Sequence, residues 1–183
     1  MTTTTLEQPA KAITPSLRKV SLPDFSRIRR IAQDLLTVNG IEEPPVRAKS
    51  IAQNCGVHIV YAEFLDEHQG IAGLIECDGK TIVVNIGKTA EQCNYTIAHE
   101  LGHSVLQHNI CEASQDYHVL YCDLARQAQT LTEQEARFFA MHLLVPDFML
   151  QDYLENFPFA SNEQLANVFG VPVEILKLRR QYF

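Results

Sequence analysis

The chain has 183 residues, enough for one domain with a buried core and too few for two large ones. Hydrophobic residues make up 46 % and charged residues 20 %, ordinary globular proportions that exclude wholesale disorder and fibrous classes. The formal net charge of -7 argues against a surface that coats nucleic acid, and it is unevenly spread: residues 1–30 carry +4, residues 172–183 carry +2, and residues 31–171 hold -13.

Residues 1–22 are rich in Thr, Pro and Ala without apolar periodicity and read as a flexible leader. From Asp24, apolar residues recur at helical spacing (Phe25, Ile28, Ile31, Leu35), and Asn39-Gly40 supplies a stop, so a helix is expected over about 24–38. Pro44-Pro45 breaks the chain, and a short second helix around Ile51 ends at Gly56. Three β-branched runs follow: Val57 to Tyr61, Ile71 to Glu76 and Lys80 to Asn85. Asp78-Gly79 joins the last two as a hairpin signal, which predicts a small antiparallel sheet of about three strands without βαβ alternation. Thr89 and Gln92 form a capping box that opens a helix from about Ala90 to His108. Residues 109–130 are weakly periodic, with helix expected over part of Tyr117 to Gln127. Thr132 starts a strong helix that Pro146 stops. In the tail, Ser161 and Gln164 form another capping box, Gly170 closes that helix, and Pro172 takes the first position of a last one. The division expected is a leader (1–22), a main α+β domain (23–151) and a two-helix, helix-turn-helix-like segment (152–183).

Five cysteines without framework spacing read as reduced thiols. With no secretory leader and no apolar run approaching a membrane span, they point to a cytoplasmic protein with no membrane partner.

The chemistry is concentrated in His99-Glu100-Leu101-Gly102-His103, an H-E-x-x-H sequence inside the expected helix. Positions i and i+4 lie on one helical face, so both imidazoles reach one cation. Zn2+ suits two nitrogen ligands and one carboxylate with a fourth position left for water, and Glu100 beside that water is placed as general base. The bland alternative is a solvated helix face that happens to carry two histidines and a glutamate.

The third ligand is open among Glu112, Asp116, His118, Asp123, Glu133 and Glu135. Glu135 is favoured because it begins the rigid helix ending in Leu143-Leu144. Yet Thr132 with Glu135 and Thr130 with Glu133 both form capping boxes, so either carboxylate has a purely helical use. His142, two turns after Glu135, reads as a core or supporting histidine, and His108 as a surface or locally hydrogen-bonded one. Gly102 costs a helix about 1 kcal/mol relative to Ala, which implies close approach of another backbone. Oxyanion donors remain open among Tyr95, His108, Tyr117, His118 and Arg137.

The stretch Val84-Asn85-Ile86 through Tyr95 to His103, followed by Glu135-Ala136-Arg137-Phe138-Phe139-Ala140 to Pro146, resembles the ImmA/IrrE family of zinc metallopeptidases. The resemblance extends over about 24–150, and the two-helix tail fits it. Arg137 stands where the family usually has Asn, and Cys93-Asn94-Tyr95 replaces a common basic-plus-Phe sequence. It implies a zincin-like core with a small sheet packed on the H-E-x-x-H helix. The family's third ligand, in an E-A-N-x-F-A segment, maps onto Glu135. It also implies site-specific cleavage of a helix-turn-helix repressor of the XRE type, releasing stress-response or mobile-element genes. Two other readings use the tail differently: a DNA-binding module, to which Lys177, Arg179 and Arg180 would contribute, or a toxin-antitoxin component. The second tail helix offers few polar residues for base edges, so packing or repressor docking is favoured over direct DNA contact.

Overall fold

The computed structural model describes residues 24–108, 117–121 and 130–183, and the expected leader lies outside them. Helix α1 (Phe25–Val38) opens on Asp24, whose carboxylate accepts from the Arg27 amide at 3.0 Å, and it buries Ile28, Ala32 and Leu36 along one stripe. Helix α2 (Ala48–Asn54) buries Ala48, Ile51 and Ala52. Strands β1 (His58–Ala62), β2 (Ile71–Glu76), β3 (Thr81–Asn85) and β4 (Tyr117–Tyr121) form one sheet in the order β1-β3-β2-β4.

This sheet corrects the sequence reading in two respects. It has four strands among the described residues rather than three, since Tyr117–Tyr121, at the start of the segment where some helix was expected, is β4, antiparallel to β2, while residues 122–127 of that segment lie outside the described ones. It is also mixed, because β1 runs parallel to β3 with Ile59 opposite Ile82. The parallel pair places Ile82 and Val84 of β3 at the centre of the sheet, where both are fully buried. The β2–β3 hairpin forms as expected, with Gly79 at φ 70 and the Asp78 carboxylate accepting from the Lys80 amide at 2.8 Å.

Helix α3 (Ala90–Val105) starts at the Thr89–Gln92 capping box and lies between the sheet and helix α4 (Leu131–Leu144). Sheet and helix meet at Gly73, where a Cβ would come within 2.6 Å of Thr96 Cγ2. Helix α4 starts one turn-half earlier than expected, with Thr130 rather than Thr132 as its cap. Pro146 ends α4 and is itself the cap of a helix the sequence did not announce, α5 (Asp147–Asn156).

Helices α6 (Asn162–Phe169) and α7 (Val173–Arg180) turn on Gly170 at φ 62, with Pro172 as the cap of α7 rather than its first residue. Leu165, Phe169, Ile175 and Leu176 join the same hydrophobic cluster as α1 and α4, so the tail is packed into the main core. Arg179 is withdrawn into that interface. Its Nε donates to the Val145 carbonyl at 2.9 Å and its guanidinium pairs with Asp147. Arg180 donates to Asn162 Oδ1 at 2.8 Å.

One thiol departs from the reduced state expected for all five. Cys77 is disulfide-bonded, whereas Cys55 is a free thiol and the Cys93 thiol donates to the Asn85 carbonyl at 3.6 Å. Sequence spacing does not reveal which sulfurs a fold brings together. No helix among the described residues is long and apolar enough to cross a membrane.

Candidate metal centre

Every residue of α3 from Tyr95 to His103 is buried, because the sheet covers one side of the helix and α4 the other. A helix buried all round carries polar side chains only where they have partners or a task. The α3–α4 approach is possible at Gly102: a Cβ there would sit 2.9 Å from Phe139 Cδ1 and 3.2 Å from the Ala136 backbone. The close neighbour expected from the sequence is thus the backbone of α4.

That approach brings a carboxylate to the two histidines, and it is Glu133. Its Oε2 lies 3.2 Å from His99 Nε2 and its Oε1 lies 2.9 Å from His103 Nε2, while the two Nε2 atoms are 3.2 Å apart. Glu135, the favoured third ligand, is not brought to the pair; its Oε2 is 3.0 Å from His108 Nε2. The reason lies in the face of α4, through Ala136 and Phe139, that packs on Gly102. With Thr130 accepting from the Glu133 amide, Glu133 is the third residue of α4 and faces α3. Two residues further on, Glu135 is rotated by about 200° around the helix and faces elsewhere. Glu112, Asp116 and Asp123 lie outside the described residues, as does the side chain of Tyr117.

Donor chemistry and spacing fit a metal ion. A tetrahedral ion with bonds of about 2.0–2.1 Å spaces its ligand atoms about 3.3–3.4 Å apart, close to the separations of His99, His103 and Glu133. Burial pushes the imidazoles of His99 and His103 below their ordinary pKa, so at neutral pH both offer lone pairs rather than charge. Burial alone would raise Glu133, but the three surrounding histidines outweigh it and hold the carboxylate well below its usual range.

Glu100 is fully buried, and neither carboxylate oxygen has a hydrogen-bond partner among the described residues. Such a group is expensive unless its site uses it. Beside it is His118, on β4, a candidate the sequence left among five donors. Its Nδ1 is 3.7 Å from Glu100 Oε2 and its Nε2 is 3.1 Å from Glu133 Oε1. Burial would lower its pKa, yet the Glu100 and Glu133 carboxylates together hold it up to about 10. His118 is therefore the cation of the cluster and its most exposed member, 21 % exposed where the others are at most 4 %. No other strand pairs with β4 beyond it among the described residues. His142 is a core histidine, as expected: it stacks on Phe138 and its Nδ1 donates to the Phe138 carbonyl at 2.9 Å.

Two histidines and a glutamate on one buried helix, faced by a carboxylate from a second helix and floored by a small sheet, make a metallopeptidase-type site. The chain belongs to the family of IrrE N-terminal-like domains (Peptidase_M78), whose model it matches over residues 52–180. It is similar to the metallopeptidase ImmA of Bacillus subtilis (strain 168), with 29 % identity over 126 residues that cover 67 % of this chain and 70 % of that one. Its fold is similar to that of a Mycobacterium tuberculosis transcriptional regulator, with a TM-score of 0.60 and 18 % identity. That match covers 84 % of this chain but only 46 % of the regulator, so the chain spans about half the regulator's length.

Proposed function

We propose that this protein is a zinc-dependent endopeptidase in which His99, His103 and Glu133 hold the ion and Glu100 is the general base. The observation that carries this reading is the convergence of ligand atoms of His99, His103 and Glu133 within 4.8 Å of one another, with Glu100, a buried carboxylate without a hydrogen bond among the described residues, in the same range of His103. A zinc ion held by His99, His103 and Glu133 would supply Lewis acidity, lowering the pKa of a water molecule and polarising the scissile carbonyl. Glu100 accepts the proton of that water and returns it to the leaving amine. His118 donates an N–H toward the carbonyl oxygen as negative charge develops there. The edge of β4 that no strand among the described residues pairs with gives an extended peptide main-chain partners next to His118 and the site.

The substrate we propose is a helix-turn-helix repressor, whose cleavage in the cytoplasm releases the genes it holds silent. The acidic central body, at -13 over residues 31–171, complements a basic DNA-binding partner. Burial of Arg179 weighs against direct DNA contact by the tail, since it removes one of the three cations that segment would present.

The test is co-expression with a helix-turn-helix repressor encoded beside the gene. Wild type cleaves it, whereas Glu100→Gln retains the metal and leaves the repressor intact. Cleavage by Glu100→Gln at the wild-type rate would refute the assigned mechanism.

A further inference from the structure

We infer that His108, anchored by Glu135, is a positioning residue that fixes His103 in the one tautomer able to present a lone pair at Nε2. This rests on the reading of His103 as a metal ligand. His108 lies just past the end of α3, and the backbone is bent to bring it back. The Gln107 amide donates to the Ser104 carbonyl at 3.1 Å and the His108 amide to the His103 carbonyl at 3.1 Å, the two bonds of a glycine-type helix ending. The residue in the left-handed position is nevertheless Gln107, at φ 57, the only residue other than glycine with positive φ among the described ones. Backbone conformations of that kind persist where surrounding structure holds them, and they cluster at functional sites.

The side chains then form a single line. Glu135 Oε2 is 3.0 Å from His108 Nε2, and His108 Nδ1 is 3.1 Å from His103 Nδ1. A carboxylate only accepts, so His108 donates from Nε2. A neutral imidazole that donates from Nε2 accepts at Nδ1, so the proton between the two rings belongs to His103 Nδ1. His103 Nε2 is thereby left as an acceptor, and it is the atom that faces His99 and Glu133. His99 has no such arrangement, for its Nδ1 has no hydrogen-bond partner among the described residues. His103 is thus the ligand whose orientation the fold sets through a second histidine. The line also faces outward, because His103 and His108 border a cleft of about 270 Å³ with Ser104 and Gln107.

The experiment uses the full chain with zinc alone as the probe. Zinc affinity is measured by chelator competition in wild type, His108→Leu and His108→Asn. The tautomer of His103 is read from 15N-histidine NMR of the metal-free proteins, and metal-free melting curves check the fold. His108→Leu should bind zinc about 10–100-fold more weakly and show His103 as a mixture of tautomers. His108→Asn, whose Oδ1 replaces the lost acceptor, should recover most of the affinity. Should His108→Leu fail to fold, Glu135→Ala removes the anchor from the more exposed end, and its affinity should fall in the same direction. Zinc binding by His108→Leu as tight as wild type, or an Asn variant as weak as Leu, overturns the inference and leaves the metal site standing. A wild type that binds no zinc overturns the reading of the site itself.

Discussion

Gly102→Ala separates the two accounts of a glycine inside the site helix. If the position were merely tolerated, alanine would stabilise α3 by about 0.8–1.0 kcal/mol through its helix propensity. The structure opposes this gain. The new Cβ would lie 2.9 Å from Phe139 Cδ1 and 3.2 Å from both the Cα and the carbonyl oxygen of Ala136. The Phe139 ring can rotate away, but the Ala136 backbone moves only with α4, and overpacking of this kind costs about 1–3 kcal/mol. The net expectation is a loss of between about 0 and 2 kcal/mol. Since 1 kcal/mol corresponds to about 2–4 °C for a domain of this size, the melting temperature should stay level or drop by several degrees. The more telling effect is on the site. Glu133 stands one turn before Ala136 on the same helix, so displacement of α4 moves the carboxylate away from His99 and His103. Urea unfolding of the metal-free protein and chelator competition for zinc measure the two effects separately. An alanine variant about 1 kcal/mol more stable with unchanged zinc affinity would refute the close-approach argument.

Two further substitutions probe features away from the ligands. Gln107→Gly should stabilise the protein by about 0.5–1 kcal/mol, the left-handed penalty of a side chain less the extra chain entropy of glycine, and denaturant unfolding that shows a loss would contradict it. His142 is held down to about 4 by burial and by the nearby Arg179. Its folded pKa lies below the unfolded value of about 6.5, so the unfolded chain takes up the proton first and stability falls as pH drops from about 6.5 to 4, by up to about 3 kcal/mol. His142→Phe should flatten that slope in stability measured against pH, and an unchanged slope would show that His142 is not its source.

The site helix was legible because its signals are local. Thr89 and Gln92 fix its start, and the i, i+4 spacing of His99 and His103 fixes their common face whatever surrounds it. The carboxylate that meets the two histidines was harder to read, because Thr130–Glu133 and Thr132–Glu135 are equally good helix starts and give either glutamate a capping use. The two glutamates stand about 200° apart around one helix, so only Glu133, one turn before the Ala136 that packs on Gly102, meets α3. The parallel pairing of β1 with β3 has no local signal, since strand partners are chosen across the sheet rather than along the chain. Helix α5 was hidden behind Pro146, which ends one helix and begins the next. His108 lacked a signal because its importance depends on the left-handed turn at Gln107, a position where sequence alone would have suggested glycine.

Metal content tests the central claim most directly. The protein and its Glu133→Ala and Glu135→Ala variants are purified in parallel, dialysed against the same zinc buffer and analysed for bound metal. The account predicts one zinc per wild-type chain, loss of the ion in Glu133→Ala, and an ion retained, though held less tightly, in Glu135→Ala. Zinc retained by Glu133→Ala and lost from Glu135→Ala would contradict it.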